Sequence, residues 1–134
     1  MKRMYYFRIF ILAVISVGPT HAAPDKSLND PISLLDSDDD KTIDISEMGK
    51  AASDSFDILD GDGDGKIDFR TSDKRLSRQE FKTSDTNKDD MLDKNEYFAV
   101  CDSLLRAADQ DKDGTLDARE FNSPQGKKLQ RLIQ

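Results

Sequence analysis

Four stretches of this chain repeat one pattern, an acidic or amide residue at every second position followed by a turn and a polar close. They begin at residues 36, 60, 85 and 109, at intervals of 24, 25 and 24. The fullest example is 109–120, D-Q-D-K-D-G-T-L-D-A-R-E. Asp109, Asp111 and Asp113 stand at positions 1, 3 and 5, Gly114 at 6, Thr115 at 7, Leu116 at 8, Asp117 at 9 and Glu120 at 12. Alternate side chains of a curled segment point inward, so these carboxylates are brought together, and a glycine supplies the sharp bend without a Cβ clash. Apolar residues keep the same schedule. Ile32, Phe56, Phe81 and Leu105 each stand four residues before a start, and position 8 is Ile43, Ile67, Leu92 or Leu116. A disordered acidic tract has no reason to place apolar residues so regularly, whereas stacked repeat units do.

Convergent carboxylates at this spacing suit a hard cation. Calcium takes six to eight oxygens at about 2.3–2.6 Å, including a backbone carbonyl at position 7 and two oxygens from a glutamate at 12. The 109–120 segment resembles the loop of the EF-hand calcium-binding family, in an exported form with four closely spaced hands. The resemblance implies an all-α fold, an array of helix-loop-helix units in one domain over 23–134. It also implies three to four calcium ions, with magnesium as a possible competitor.

The other three segments depart from the pattern in different ways. Loop one, 36–47, offers Asp36, Asp38, Asp40, the Thr42 carbonyl, Asp44 and Glu47, but Lys41 occupies position 6. A non-glycine residue with positive φ costs about 1 kcal/mol there, and this one adds a cation beside the site, so weaker binding than at 109–120 is expected. Loop three, 85–96, offers Asp85, Asn87, Asp89, the Met91 carbonyl, Asp93 and Glu96, with Asp90 at position 6. Aspartate tolerates the left-handed region better than lysine. Loop two, 60–71, begins well with Asp60, Asp62, Asp64, Gly65, the Lys66 carbonyl and Asp68, then fails at position 12, which is Thr71. Two readings stay open. In one, Glu80 closes an expanded loop, 60–80; in the other, Ser77 and Glu80 form only a capping box for the next helix.

Between the loops the apolar spacing is helical. Met48, Ala52, Phe56 and Leu59 share one face, as do Tyr97, Cys101, Leu104, Leu105 and Ala108. The spacing predicts helices starting near Ile45, over 78–84 and over 94–108, with Ser123 and Pro124 opening a final segment. Only twelve residues separate Glu47 from Asp60 and Glu96 from Asp109. One helix must therefore serve two successive loops. If the helices alternate in direction, Ile43 pairs with Leu92 and Ile67 with Leu116.

Composition narrows the function. Residues 1–22 combine Lys2, Arg3 and Arg8, an apolar run over 9–17 and a Thr20-His21-Ala22 close, the pattern of a cleaved signal peptide. Cleavage would take the net charge from −7 to −10 and remove His21, the one histidine. That excludes histidine base chemistry, His-paired nucleophiles and histidine-ligated zinc, so the chain is not expected to be an enzyme. Cys101, the lone cysteine, has no partner for an internal disulfide and reads as a small buried apolar residue. The acidic balance argues against nucleic acid and, after cleavage, against anionic membranes. The expectation is a periplasmic or secreted calcium sensor or buffer, with a protein target for the calcium-bound form. The alternative is a calcium-rigidified adhesion or scaffolding module that docks a protein partner.

Overall fold

Glu47, Glu80, Glu96 and Glu120 decide where four helices begin. Each accepts back from the N-cap residue three positions earlier, whose side chain in turn accepts the N–H of the glutamate, a reciprocal capping box that satisfies donors no helix can satisfy itself. The caps are Asp44, Ser77, Asp93 and Asp117. A computed structural model describes residues 30–134. The signal segment expected at 1–22 lies outside the described residues.

The described chain runs α1 (Pro31–Leu35), α2 (Ile45–Leu59), β1 (Lys66–Asp68), α3 (Phe69–Ser72), α4 (Arg78–Ser84), β2 (Met91–Asp93), α5 (Lys94–Ala108), α6 (Ala118–Phe121) and α7 (Pro124–Ile133). The long helices α2 and α5, each about 22 Å in length at 1.5 Å per residue, lie against one another and each links two loops. Their apolar stripes meet at the Phe56–Tyr97 pair, edge to face at 5.7 Å between centroids. The basic C-terminal segment docks rather than frays. Leu129, Leu132 and Ile133 are buried, and α7 packs on both α5 and α2.

Two expectations need correction. The fold is not purely all-α: β1 and β2 form a two-stranded antiparallel sheet, so the described residues are mostly helical with a small sheet joining loops two and three. The loops also pair differently. Ile67 faces Leu92 in that sheet, and Ile43 exchanges two backbone hydrogen bonds of 3.0 Å with Leu116 in an isolated bridge. The cause is the segment between loops two and three. It does not form one traversing helix; α3 stops after four residues, Leu76 is buried at the turn, and Ser77 caps a new helix. The chain doubles back and delivers loop three to the same end as loop two. With α2 and α5 thereby antiparallel, loops one and four meet at the other end.

Candidate metal centre

Each loop is curled by its own side chains. The carboxylate at position 1 accepts two backbone N–H groups from further along the loop: Asp36 from Asp40 and Lys41, Asp60 from Asp64 and Gly65, Asp85 from Asp89 and Asp90, Asp109 from Lys112 and Gly114, at 2.7–3.2 Å. The position-5 carboxylates Asp40, Asp64, Asp89 and Asp113 accept the N–H of position 7 at 2.8–3.0 Å. Such bonds replace the helix ladder with a turn whose acceptors face inward. The bend requires left-handed backbone at position 6, where φ is 71° at Lys41, 82° at Gly65, 61° at Asp90 and 91° at Gly114. It requires it at position 4 as well, with positive φ at Asp39, Gly63, Lys88 and Lys112. Loop two alone has glycine at both, so its backbone is the least strained of the four.

Position 12 separates three loops from the fourth. In loop one, Glu47 Oε1 accepts the Ser37 N–H at 2.5 Å while Oε2 accepts that of Asp44 at 3.3 Å. Glu96 does the same with Thr86 and Asp93, and Glu120 with Gln110 and Asp117. The glutamate thus reaches from the exiting helix back across the loop to position 2. Glu47, Glu96 and Glu120 are only 8%, 6% and 6% exposed. Among the described residues none of the three forms an ion pair with a basic side chain. Burying carboxylates without a counter-charge is costly, and a cation inside the loop would relieve the cost.

The donors are hard oxygens throughout. Oxygens of Asp36, Asp38 and Asp40, of Asp60, Asp62 and Asp64, and of Asp109, Asp111 and Glu120 lie within 4.8 Å of one another in their respective loops, and each group could hold a metal ion. Desolvation and crowding together raise two carboxyls above their ordinary range. Desolvation raises Asp38, helped by the charges of Asp40, Glu47 and Asp36 and opposed by the Asp40 N–H. For Asp111 the Asp113 N–H pulls down, yet desolvation and the charges of Asp113, Glu120 and Asp109 outweigh it. A cation among these carboxylates would offset that repulsion.

No protein-family model matches the chain, and no curated protein matches it. The site is therefore read from geometry alone, and it treats the expected ligands unequally. Loops one, two and four each gather three carboxylates, Glu47 standing outside the first group and Asp113 outside the last, and loop three shows no such group among the described residues. The bridge between loops one and four engages only Ile43 and Leu116, so the Thr42 and Thr115 carbonyls are not consumed by it. Asp44, Asp68, Asp93 and Asp117 cap helices, and Asp117 also pairs with Arg119 at 3.1 Å. In loop two, Thr71 donates its N–H to Asp68 at 2.8 Å and offers no carboxylate.

Glu80 does not supply the missing one. Its Oε2 accepts from the Ser77 backbone and hydroxyl at 2.9 and 2.7 Å, and its Oε1 meets Lys128 at 3.2 Å. Those bonds, the Ser77 N–H foremost, hold its carboxyl down at about 2. The expanded loop is thus replaced by the capping box and a tie to α7. Two features of the site escaped the sequence reading: the left-handed position 4, where aspartate (Asp39), glycine (Gly63) and lysine (Lys88, Lys112) all occur, and an ammonium in loop three. Lys66 Nζ donates to Asp89 Oδ2 across the sheet, and this bond holds the Asp89 carboxyl below its usual range.

Proposed function

We propose that this chain binds calcium in its four loops, as an exported EF-hand-type protein acting as a sensor or buffer. The observation that carries the reading is the buried position-12 glutamate of loops one, three and four, turned back across its loop with no basic partner among the described residues. Oε2 of each accepts a single N–H and keeps a lone pair for a large hard cation, while Oε1 already accepts two or three donors, from Ser37, from Thr86 and Asn87, and from Gln110 and Asp111. Magnesium prefers six oxygens in a stricter octahedron at about 2.0–2.1 Å and would compete only weakly. Asp36, Asp38, Asp40, Asp44 and Glu47 would hold the ion of loop one. Asp109, Asp111, Asp113, Asp117 and Glu120 would hold that of loop four, each with its position-7 carbonyl. Loop two, with an unstrained backbone but no carboxylate at position 12, would bind more weakly, its last ligand being water. Because an empty loop gathers like charges, calcium stabilises the folded chain by the linkage common to any ligand that binds only the native state.

Isothermal titration of the chain with calcium tests this. Three tight sites and one weaker site are expected, with one tight site lost in Glu120→Gln and a melting temperature that rises with calcium concentration. No saturable calcium uptake, or uptake unaffected by Glu120→Gln, would overturn it. Of the aromatics that a target-binding groove would use, Phe56, Phe81 and Phe121 are buried and Phe98 is half-buried. A calcium-dependent rise in apolar dye binding would favour the sensor role, and its absence the buffer.

A further inference from the structure

Loop three differs from the other loops in that a basic side chain from outside it holds its position-5 carboxylate. The four position-5 carboxylates, Asp40, Asp64, Asp89 and Asp113, are built alike, one oxygen held by the N–H of position 7. Among the described residues only Asp89 has an ion pair, its second oxygen bonded to the Lys66 ammonium. Lys66 is not a neighbour in sequence. It stands in loop two, on β1, and the antiparallel register sets it opposite Asp93, which places its side chain over loop three. The side chains are 43% exposed for Lys66 and 32% for Asp89, so the pair lies at the mouth of the loop, where the lysine can leave without disturbing the core. Loop three has Asn87 where the other three loops have aspartate at position 3, and so has four ligand carboxylates against five in loops one and four with which to outbid an ammonium.

We propose that Lys66 is a tethered competitor for the ion of loop three: its ammonium holds the Asp89 oxygen that a divalent cation needs, so loop three fills only when the side chain is driven off. The proposal rests on the reading of the loops as calcium sites. It assigns one residue two opposed effects, since the Lys66 backbone carbonyl belongs to loop two while its side chain works against loop three. It also revises the order of filling. Among the loops closed by a position-12 glutamate, loop three becomes the weakest, below loop one, although Asp90 is easier to hold at positive φ than Lys41.

The magnitude follows from charge. A unit charge a few Å from a divalent ion at a half-exposed site changes affinity by about three- to tenfold, the exposed lysine being free to swing into water. The experiment is isothermal titration of the full chain with calcium alone, comparing wild type, Lys66→Met, Lys66→Gln and Lys94→Met. Lys94 is a suitable control because it pairs with Asp57, outside the loops, at 3.2 Å. Expected is a three- to tenfold tightening of one site in both Lys66 variants, no change in Lys94→Met, and no tightening when Lys66→Met is made in a Glu96→Gln background that disables loop three. Unchanged or weakened constants in the Lys66 variants, an equal gain from Lys94→Met, or a gain that survives Glu96→Gln would each overturn the proposal. Failure of the calcium reading is separate and visible at once, as wild type taking up no calcium at all.

Discussion

Gly126 is the position where the packing makes the sharpest quantitative demand. It lies in α7, and a Cβ placed on it would stand 2.3 Å from the Phe121 carbonyl oxygen, 2.4 Å from that of Glu120 and 2.6 Å from the Phe121 carbonyl carbon. These are backbone atoms of α6 and cannot turn aside, and each contact is about 1 Å short of a comfortable separation. In Gly126→Ala, α7 must therefore shift. The shift strains the burial of Leu129, Leu132 and Ile133 and the Gln130 bond to the Phe121 carbonyl at 2.6 Å. It also moves the Leu132 carbonyl, which accepts both the buried Tyr97 hydroxyl at 2.5 Å and the Arg75 guanidinium at 2.7 Å. Overpacking costs about 1–3 kcal/mol. An orphaned buried hydroxyl adds about 1–3 kcal/mol. Alanine's better helix propensity returns about 1 kcal/mol. The net is a loss of about 1–5 kcal/mol, or roughly 4–20 °C in melting temperature for a chain of this size. Urea denaturation followed by circular dichroism, at one saturating calcium concentration, measures it. Gly49→Ala in α2 serves as the comparison, because its Cβ would meet only Phe98 Cε1 at an ordinary 3.7 Å and the change should be neutral or stabilising. Equal or greater stability in Gly126→Ala would refute the reasoning, by showing that α7 yields to the added methyl without cost.

Two further outcomes follow from groups outside the proposed ion sites. Glu80→Gln should leave the number of bound calcium ions unchanged and lower stability. Its carboxyl sits at about 2 in the folded chain against an ordinary 4.5, so the stability it contributes is complete above the ordinary value and fades as pH falls toward 2. Urea midpoints of the two proteins should therefore differ at pH 7 and converge in strong acid, whereas loss of a bound ion would restore the expanded-loop reading. Burial pushes the Cys101 thiol up to about 12, so it should resist a thiol reagent in the calcium-loaded chain and react in full once urea unfolds it. Rapid labelling of the folded chain would contradict its place in the core.

Much of the structure was legible because it is carried by short-range spacing. The capping boxes at Asp44 and Ser77, the helices 78–84 and 94–108 and the buried position-8 residues all follow from offsets of three, four or eight residues, and the described chain places them where those offsets predict. Three-residue strands are another matter. Lys66–Asp68 and Met91–Asp93 are too short to show alternation, so nothing in their sequence distinguishes a ladder from the end of a loop. Loop pairing was misread for a related reason. It depends on whether 69–84 crosses the molecule or turns back, and the deciding residue, buried Leu76, is one apolar side chain with no periodic partner.

The two readings of Glu80 show why such cases resist sequence alone. A closing ligand and a capping-box residue need the same acidic side chain at the same offset from an N-cap, so local spacing cannot separate them. What separates them is a long-range contact, Lys128 on α7, which claims the oxygen that ligation would need. The Lys66 ammonium on Asp89 is the same kind of event in reverse, a long-range basic residue entering a loop whose own sequence looks complete. In a chain this rich in carboxylates, the local pattern identifies groups able to bind a cation, and the distant lysines divide those groups between metal and protein. Loop two loses its would-be closing glutamate to one lysine, and loop three yields an aspartate to another. Loops one and four, whose position-5 and position-12 carboxylates meet no basic side chain among the described residues, are on the proposed calcium reading the pair expected to fill first, and the bridge between Ile43 and Leu116 joins them into one unit at the same end of the molecule.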